Sequence, residues 1–403
     1  MKKIEVLAPA GNLEKLKIAY LYGADAVYVG GKDFSLRSKA GNFDLEQLQE
    51  AKNISVELGK KLYIALNIFP HNIDLENIIE YLEKLNEIRV DAMIISDPGI
   101  IYLAKKHAPD TPIHLSTQSN TLNWAGCQFW KEQGLERVVL GREVSLNEIA
   151  SIHEKTDVEL EAFVHGAMCM AYSGRCMLSM HMTGKSANSG SCTHPCRWEY
   201  YVVEKQRDDQ FMPIEEDERG TYIFNSKDLC MLPYLERFID SGVTSLKIEG
   251  RMKSIHYVAT VTKVYREAVD IIEAGGDFNI ALPRLMAELD GIGERDYTPG
   301  FYLDENDNNM QQYEPFNVQK NIKFVGKVID VLEDSILIEQ RNKFVLGDTL
   351  EILLPSGSNR NIIIEKIVNE QGEAVESAPH PMEILKINKI PGVLPGSLLR
   401  IRS

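Results

Sequence analysis

Through the first 165 residues, short β-branched runs alternate with stretches whose apolar residues recur every three to four positions. Ile4–Ala8 reads as a strand, Leu13–Tyr22 as a helix with Asn12 as its N-cap, and Ala26–Val29 as a strand ending in Gly30-Gly31. The rhythm continues as helix Leu45–Leu58, strand Leu62–Asn67, helix Ile78–Ile88, strand Ala92–Ser96, helix Ile100–His107 and strand Ile113–Ser116. It runs on through helix Trp124–Gln133, strand Val138–Leu140, helix Leu146–Lys155 and strand Leu160–His165. A strand–helix unit repeated in this way predicts a parallel sheet with crossover helices.

An eighth unit is delayed: Ser245–Ile248 reads as a strand and Tyr257–Glu273 as the helix after it. The stretch 166–243 between is too long for a βα loop and must carry structure of its own. We expect there a hairpin (Tyr200–Val203 with Tyr222–Asn225) and a helix from Asp228 to about Asp240. Eight such strands predict an α/β fold, a TIM-type (β/α)8 barrel with a long cysteine-containing insertion after strand seven. An open doubly wound sheet would need a glycine-rich phosphate turn after the first strand, and Pro9-Ala10-Gly11 is a poor one.

The barrel is expected over residues 1–275, with insertion 166–243, followed by an irregular, turn-rich linker over 276–320 that includes Asp304–Asn309 as a loop. From 321 to 403 the texture becomes alternating: Phe324–Leu332, Ser335–Gln340, Thr349–Leu354, Asn361–Val368 and Glu383–Ile387, without helices between. That predicts a small C-terminal all-β, barrel-like domain.

Apolar content of 44% and charged content of 26% belong to an ordinary globular protein. Ile4–Ala8 is too short for a signal-peptide core, and no apolar run could span a bilayer. A cytoplasmic chain with no membrane partner is therefore expected. The net charge of −15 speaks against indiscriminate nucleic-acid binding. Its distribution changes that picture: from His165 to Trp198 there is no Asp or Glu, while Arg175, Lys185 and Arg197 are present. From Thr244 to Arg266, Lys247, Arg251, Lys253, Lys263 and Arg266 stand against Glu249 alone. A local anion site is compatible with an acidic whole.

Four of the 6 cysteines cluster as Cys169-x6-Cys176-x15-Cys192-x3-Cys196. In a reducing compartment such a cluster reads as a ligand set before a disulfide set. Thiolates leave zinc or iron–sulfur; structural zinc brings two tight pairs and only Cys192/Cys196 fits, so the spacing favours iron–sulfur. Cys230 is a fifth candidate, and Cys127, between Trp124 and Trp130, reads as a small core residue.

The cluster follows strand seven directly, on the face where barrel enzymes keep their active sites. Other strand ends on that face are polar: Asn67 and His71, Ser96-Asp97, Gln118-Ser119-Asn120, Arg142-Glu143, His165 and Lys247-Ile248-Glu249-Gly250-Arg251. Singly, each has a structural reading as a cap or salt bridge; together they suggest a pocket. Metalloprotease, serine-hydrolase and P-loop motifs are missing.

The run Glu161-x-Phe163-x2-Gly166-Ala167-Met168-Cys169-x4-Gly174-x-Cys176-x-Leu178-Ser179 resembles the signature of the collagenase-like peptidase family U32. The likeness extends from Leu7-Ala8-Pro9-Ala10-Gly11 through Ser96-Asp97-Pro98-Gly99, His114-Leu115-Ser116 and Asn225-Ser226-Lys227-Asp228 to Lys247–Arg251. Within that family the chain is most similar to the tRNA uridine hydroxylases, which form 5-hydroxyuridine at the wobble position with prephenate as hydroxyl donor. Relatives hydroxylate a ribosomal RNA cytidine or act in oxygen-independent ubiquinone synthesis. The resemblance implies a 4Fe–4S cluster on Cys169, Cys176, Cys192 and Cys196, with Cys230 as the alternative fourth ligand, as in the quinone-pathway branch. It implies tRNA as a partner, a small dicarboxylate donor, and leaves a related family member as a possible second subunit. In that frame His165, Glu249 and Lys247 are the catalytic candidates, with His165 and Glu249 for proton transfer. Arg142, Arg251 and Arg197 would clamp the donor, with His114 among the substrate-binding residues. Peptidase activity is the rival reading.

Overall fold

The computed structural model describes residues 3–32, 34–35, 42–168, 172, 175–176, 178–185, 188, 193, 195, 215–217, 220–222, 227–303 and 322–402. Strands β1 (Glu5–Pro9), β2 (Ala26–Gly30), β3 (Lys61–Leu66), β4 (Ala92–Ile95), β5 (Ile113–Leu115), β6 (Arg137–Val139) and β7 (Glu159–Ala167) pair in parallel in chain order. They alternate with helices α1 (Leu13–Leu21), α2 (Leu45–Glu57), α3 (Leu75–Ile88), α4 (Pro98–His107), α5 (Trp124–Glu132) and α6 (Leu146–Lys155).

Local chemistry starts several of these helices. Asn12 Oδ1 accepts from Lys15 N, Asp97 accepts from Ile100 N with Pro98 at the first turn, and Ser145 and Glu148 close a capping box.

In the excursion, α7 (Leu178–Thr183) is followed by a hairpin, β8 (Glu215–Asp217) with β9 (Gly220–Tyr222). The expected arm Tyr200–Val203 and the loop Asp304–Asn309 lie outside the described residues. Asp228–Cys230 is strand β10, antiparallel to the end of β7, and not the start of a helix; α8 spans only Leu235–Asp240. Pro233 accounts for the difference: it sits in the first positions of a 3-10 turn, Leu232–Tyr234, and, having no N–H to give, cannot lie inside a helix that runs on from Asp228. Strand β11 (Ser245–Ile248) then pairs in parallel with both β1 and β7, closing an eight-stranded TIM-type barrel.

After β11, α9 (Ile255–Glu273) leads to α10 (Phe278–Asp290) and a two-residue strand β12 (Tyr297–Thr298) beside β10. The stretch expected to be irregular thus contains a helix. It buries Phe278, Leu285 and Leu289, spaced by seven and four residues; Pro283 within it and Gly275-Gly276 before it hid that periodicity.

The C-terminal part is antiparallel. Its strands are β13 (Ile322–Val331), β14 (Ser335–Gln340), β15 (Phe344–Val345), β16 (Thr349–Leu353), β17 (Arg360–Ile363), β18 (Ile367–Val368), β19 (Ser377–Ala378), β20 (Ile384–Asn388) and β21 (Leu398–Arg402). Seven of these form one sheet, in the order β17-β16-β21-β13-β14-β20-β18. Strand β21, unforeseen in the sequence, bridges β13 and β16.

This module docks on the outer helices. Ile18 of α1, Tyr22 at its C-cap, and Ile255 and Ala259 of α9 pack with Leu353 and Leu398. Tyr22 Oη donates to Leu353 O at 2.7 Å, and fully buried Arg400 pairs with Glu351 and with Glu288 of α10. Among the described residues no helix is long and apolar enough to cross a membrane.

Candidate active site at the barrel mouth

The barrel lumen is unusually polar for a packed core. Arg137 of β6 reaches Glu5 of β1 at 2.6 Å, Glu159 at 3.0 Å and Glu161 of β7 at 3.2 Å. Lys247 of β11 pairs with Glu161 at 2.6 Å, and Tyr63 and Ser245 donate to Glu5. Parallel register places these residues on the inward pleat of neighbouring strands. His114 sits in the same layer, its ring edge-on to Tyr63 at 4.8 Å, and burial beside Arg137 and Lys247 pushes its pKa well below the usual histidine value. Lys247 and His114 therefore lie within the lumen, Lys247 with a carboxylate counter-ion and His114 neutral. His114, 4% exposed and walled in this way, does not match the substrate-binding role expected for it.

Above this layer lies the mouth. The Arg142 guanidinium stacks on Phe163 with Cζ 3.7 Å from the ring centroid, and Lys247 Nζ is 5.5 Å from the same ring. Arg142 is 9% exposed, and among the described residues no carboxylate or other acceptor takes its N–H groups. Arg251, on the loop after β11, is buried and donates from Nη1 to Ser35 Oγ at 2.9 Å. It passes so close to β2 that a Cβ at Gly30 would lie 2.0 Å from Nη1 and 2.4 Å from Ser35 Oγ, so a side chain there would push the guanidinium and its partner aside. Half-buried Glu249 receives the Tyr28 hydroxyl at 3.3 Å, and that hydroxyl also donates to Ile248 O at 2.9 Å. Two cations and one carboxylate from the loops after β6 and β11, braced by Phe163 of β7 and Tyr28 of β2, thus share the C-terminal rim.

His165 does not join them. A register shift between Lys247 and Ile248 accompanies its pairing with Ile248, and its ring packs among Tyr257 and Tyr265 of α9 and Tyr297, with centroids 5.4–6.0 Å away. Burial, and secondarily Lys253, push its pKa down to about 3. The enclosure, 1% exposed, matches a structural part and not the expected proton transfer to substrate. Cys230 pairs across from His165, with Sγ 3.9 Å from Tyr265 Oη, and burial pushes its thiol up to about 12. Gly166, at φ +107°, lies where a Cβ would meet Glu249 O at 2.6 Å, so β7 can turn toward the cysteine segment only with glycine there.

Of the four expected cluster ligands, Cys176 is described and half-buried; Cys169, Cys192 and Cys196, and with them Arg197, lie outside the described residues. What surrounds Cys176 bears on the fit. Its N–H donates to Asn188 Oδ1 at 3.2 Å, while Asn188 O accepts from Phe69 N, beyond β3 on the barrel rim. Thr193, next in sequence to Cys192, donates from its backbone to Ser179 Oγ at 3.1 Å, and the Thr183 and Thr193 hydroxyls meet at 3.0 Å. Arg175 donates to Gln118 O at 2.7 Å and lies 5.1 Å from the Phe69 ring. The sequence neighbours of Cys176 and Cys192 are thus hydrogen-bonded to one another and pinned to the mouth, a donor set and placement that fit a thiolate-held cluster. Among the described residues alone, no three His, Cys, Asp or Glu side chains form a metal-binding group.

Ser35, Tyr28 and the role of Phe163 went unread in the sequence. Alternation along β7 places Phe163 on the same pleat as Glu161, but its stack on Arg142 joins two strands and has no local signal.

Residues 11–312 match the model described as peptidase family U32, and residues 320–400 match the peptidase family U32 C-terminal domain. The chain is 41% identical over 401 residues to tRNA hydroxylation protein P1 of Bacillus subtilis (strain 168), spanning 99% of this chain and 95% of that protein. It is 42% identical to tRNA hydroxylation protein P of Escherichia coli (strain K12), spanning 94% of this chain and 92% of that protein. A 23S rRNA 5-hydroxycytidine synthase of Escherichia coli (strain K12) is 33% identical over 87% of this chain and 53% of its own length. On these matches, covering the barrel and the C-terminal module alike, the chain belongs to peptidase family U32.

Proposed function

We propose that this protein hydroxylates tRNA uridine at carbon 5, at the wobble position, with prephenate as hydroxyl donor and a 4Fe–4S cluster at the barrel mouth. The observation that carries the reading is identity of about 40% along nearly the whole length of proteins named for tRNA hydroxylation. The rim adds support. A dianionic donor needs fixed cations, and Arg142 and Arg251 supply two guanidinium groups held by Phe163 and by Ser35. Cys169, Cys176, Cys192 and Cys196 would hold the cluster, which when bound supplies redox and Lewis-acid chemistry at the mouth.

The chain's own residues then bind and orient. Uridine has to leave its stack to reach a barrel rim, so the base enters flipped. Glu249, half-buried and fixed by the Tyr28 hydroxyl, is the group placed to carry a proton at Oε1 or Oε2. Lys247 acts from below by fixing the lumen charges, and the C-terminal module helps to orient the tRNA.

Deleting the gene should remove 5-hydroxyuridine and its derivatives from bulk tRNA, measured by nucleoside mass spectrometry in a strain also lacking any oxygen-dependent route. A strain blocked before prephenate should show the same loss and recover on prephenate. Persistence of hydroxyuridine in the full deletion, or indifference to prephenate, ends this reading and returns attention to peptidase activity.

A further inference from the structure

Two cations share the Phe163 ring, and their surroundings differ. Lys247 has Glu161 at 2.6 Å as its counter-ion. Arg142, nine-tenths buried, lies 3.7 Å from the ring centroid and has no acceptor among the described residues. A guanidinium that is nine-tenths buried, with no acceptor among the described residues and its N–H groups still reaching solvent, is placed to gain from an anion that arrives to share them. At 3.7 Å the aromatic face compensates the charge while leaving the guanidinium edge, with its forked donors, unused.

We infer that Phe163 is the positioning residue of a carboxylate site, holding the Arg142 guanidinium so that its edge receives one carboxylate of a small organic acid. The strand that carries the ring is tied from behind: Tyr302 Oη donates to the Phe163 backbone O at 2.9 Å, and Leu146 N donates to Tyr302 O at 2.9 Å. The loop bearing Arg142 and the strand bearing Phe163 are thereby tied through Tyr302. A lysine could not replace Arg142, since it lacks both the planar face that stacks and the fork that receives a carboxylate side-on. The inference rests on the proposed function only in naming prephenate as the acid.

Isothermal titration of the anaerobically purified full chain with prephenate tests it, separately from any tRNA assay. Phe163→Met keeps the volume and removes the aromatic face; it should weaken prephenate binding about tenfold and raise the donor KM with kcat largely kept. Phe163→Tyr should restore affinity to within about threefold, since it restores that face. Arg142→Lys should bind as poorly as Phe163→Met or worse. Thermal melts check that each variant is folded, and a conservative Phe163→Tyr that fails together with Phe163→Met overturns the inference. So does wild-type affinity in Phe163→Met, or tRNA hydroxylation by a wild-type protein that does not bind prephenate. Binding that follows the expected series in a protein without hydroxylase activity sustains the carboxylate site and sinks the proposed function instead.

Discussion

Lys247 and Glu161 meet at 2.6 Å inside the barrel, both nearly inaccessible, and Arg137 approaches the same carboxylate at 3.2 Å. One carboxylate thus compensates two cations from different strands. This couples β6, β7 and β11 where the barrel closes.

Removing that carboxylate should therefore cost more than removing Lys247. Glu161→Gln leaves buried Lys247 without its counter-ion, while Arg137 keeps Glu5 and Glu159, and is expected to destabilise the fold by roughly 3–5 kcal/mol. Lys247→Met should cost less, because Glu161 keeps Arg137. The double variant should recover part of the loss relative to Glu161→Gln. Urea unfolding of the three variants measures this; equal losses for Glu161→Gln and Lys247→Met would show that the pair is not the element closing the barrel.

The barrel was legible because its signal is local and repeated: each strand–helix unit carries its own periodicity, and Asn12, Asp97 and Ser145 mark helix starts in the sequence itself. Where the signal is short or interrupted it failed, as for β10 ahead of Pro233 and for α10 around Pro283. The rim was legible only as a set of strand ends. Depth along a strand decides whether a polar residue faces the mouth or the lumen, and Lys247, read as a rim residue, sits one layer below it. The bulge beside Ile248 accompanies the packing of His165 against α9. Pairings such as Arg142 with Phe163 or Arg251 with Ser35 depend on which loops meet, which closure of the whole barrel determines.

Acid should loosen the protein through its buried histidines, His165 and His256 as well as His114 in the lumen. Burial depresses both His165 and His256 from the ordinary 6.5 to about 3, with Lys253 adding to the shift in the first and Arg400 in the second. A depressed histidine stays neutral in the native state while the unfolded chain takes up its proton. Stability present above about pH 6.5 is therefore lost as pH falls toward 3. His256, stacked on Phe324 at the module interface, is replaceable by Phe without loss of the stack. His256→Phe should lose less stability between pH 7.5 and pH 5 than wild type, read as the change in urea midpoint. An identical pH slope in the variant would refute the contribution of His256.

Truncation at residue 320 strips the barrel of a packed surface. Ile18, Tyr22, Ile255 and Ala259 would face water, and Glu288 would lose Arg400 and Arg402. The truncated barrel should retain its helical circular dichroism, since barrels of about 250 residues are self-sufficient, yet associate at micromolar concentration through the bared patch. Tyr22→Ser in the truncated chain should reduce that association. Its tRNA affinity should fall with a shallower salt dependence than the full chain, as phosphate contacts made through the module are lost. A monomeric truncation with unaltered tRNA affinity would show that the module contributes neither cover nor binding.

The cysteines divide by environment. Cys127 is fully buried in the core of the barrel wall and burial raises its thiol to about 12; Cys230 is raised to about 12 as well, beside Tyr265. Unless a metal sits beside them, burial keeps both thiols protonated. Cys176 is half-buried, on the segment pinned to the mouth through Asn188 and Arg175. Anaerobically purified protein should accordingly carry about four irons and absorb near 400 nm, as a cubane on four thiolates does. Cys176→Ser and Cys192→Ser should bleach it. Cys127→Ser and Cys230→Ala should keep the iron, Cys230→Ala losing about 1–2 kcal/mol of stability to the small cavity it leaves beside Tyr265. Iron lost from Cys230→Ala but kept in Cys196→Ala would transfer the fourth ligand to Cys230 and, with it, the chain to the quinone-pathway pattern. A colourless protein with a single zinc would remove the iron–sulfur centre from the mechanism altogether.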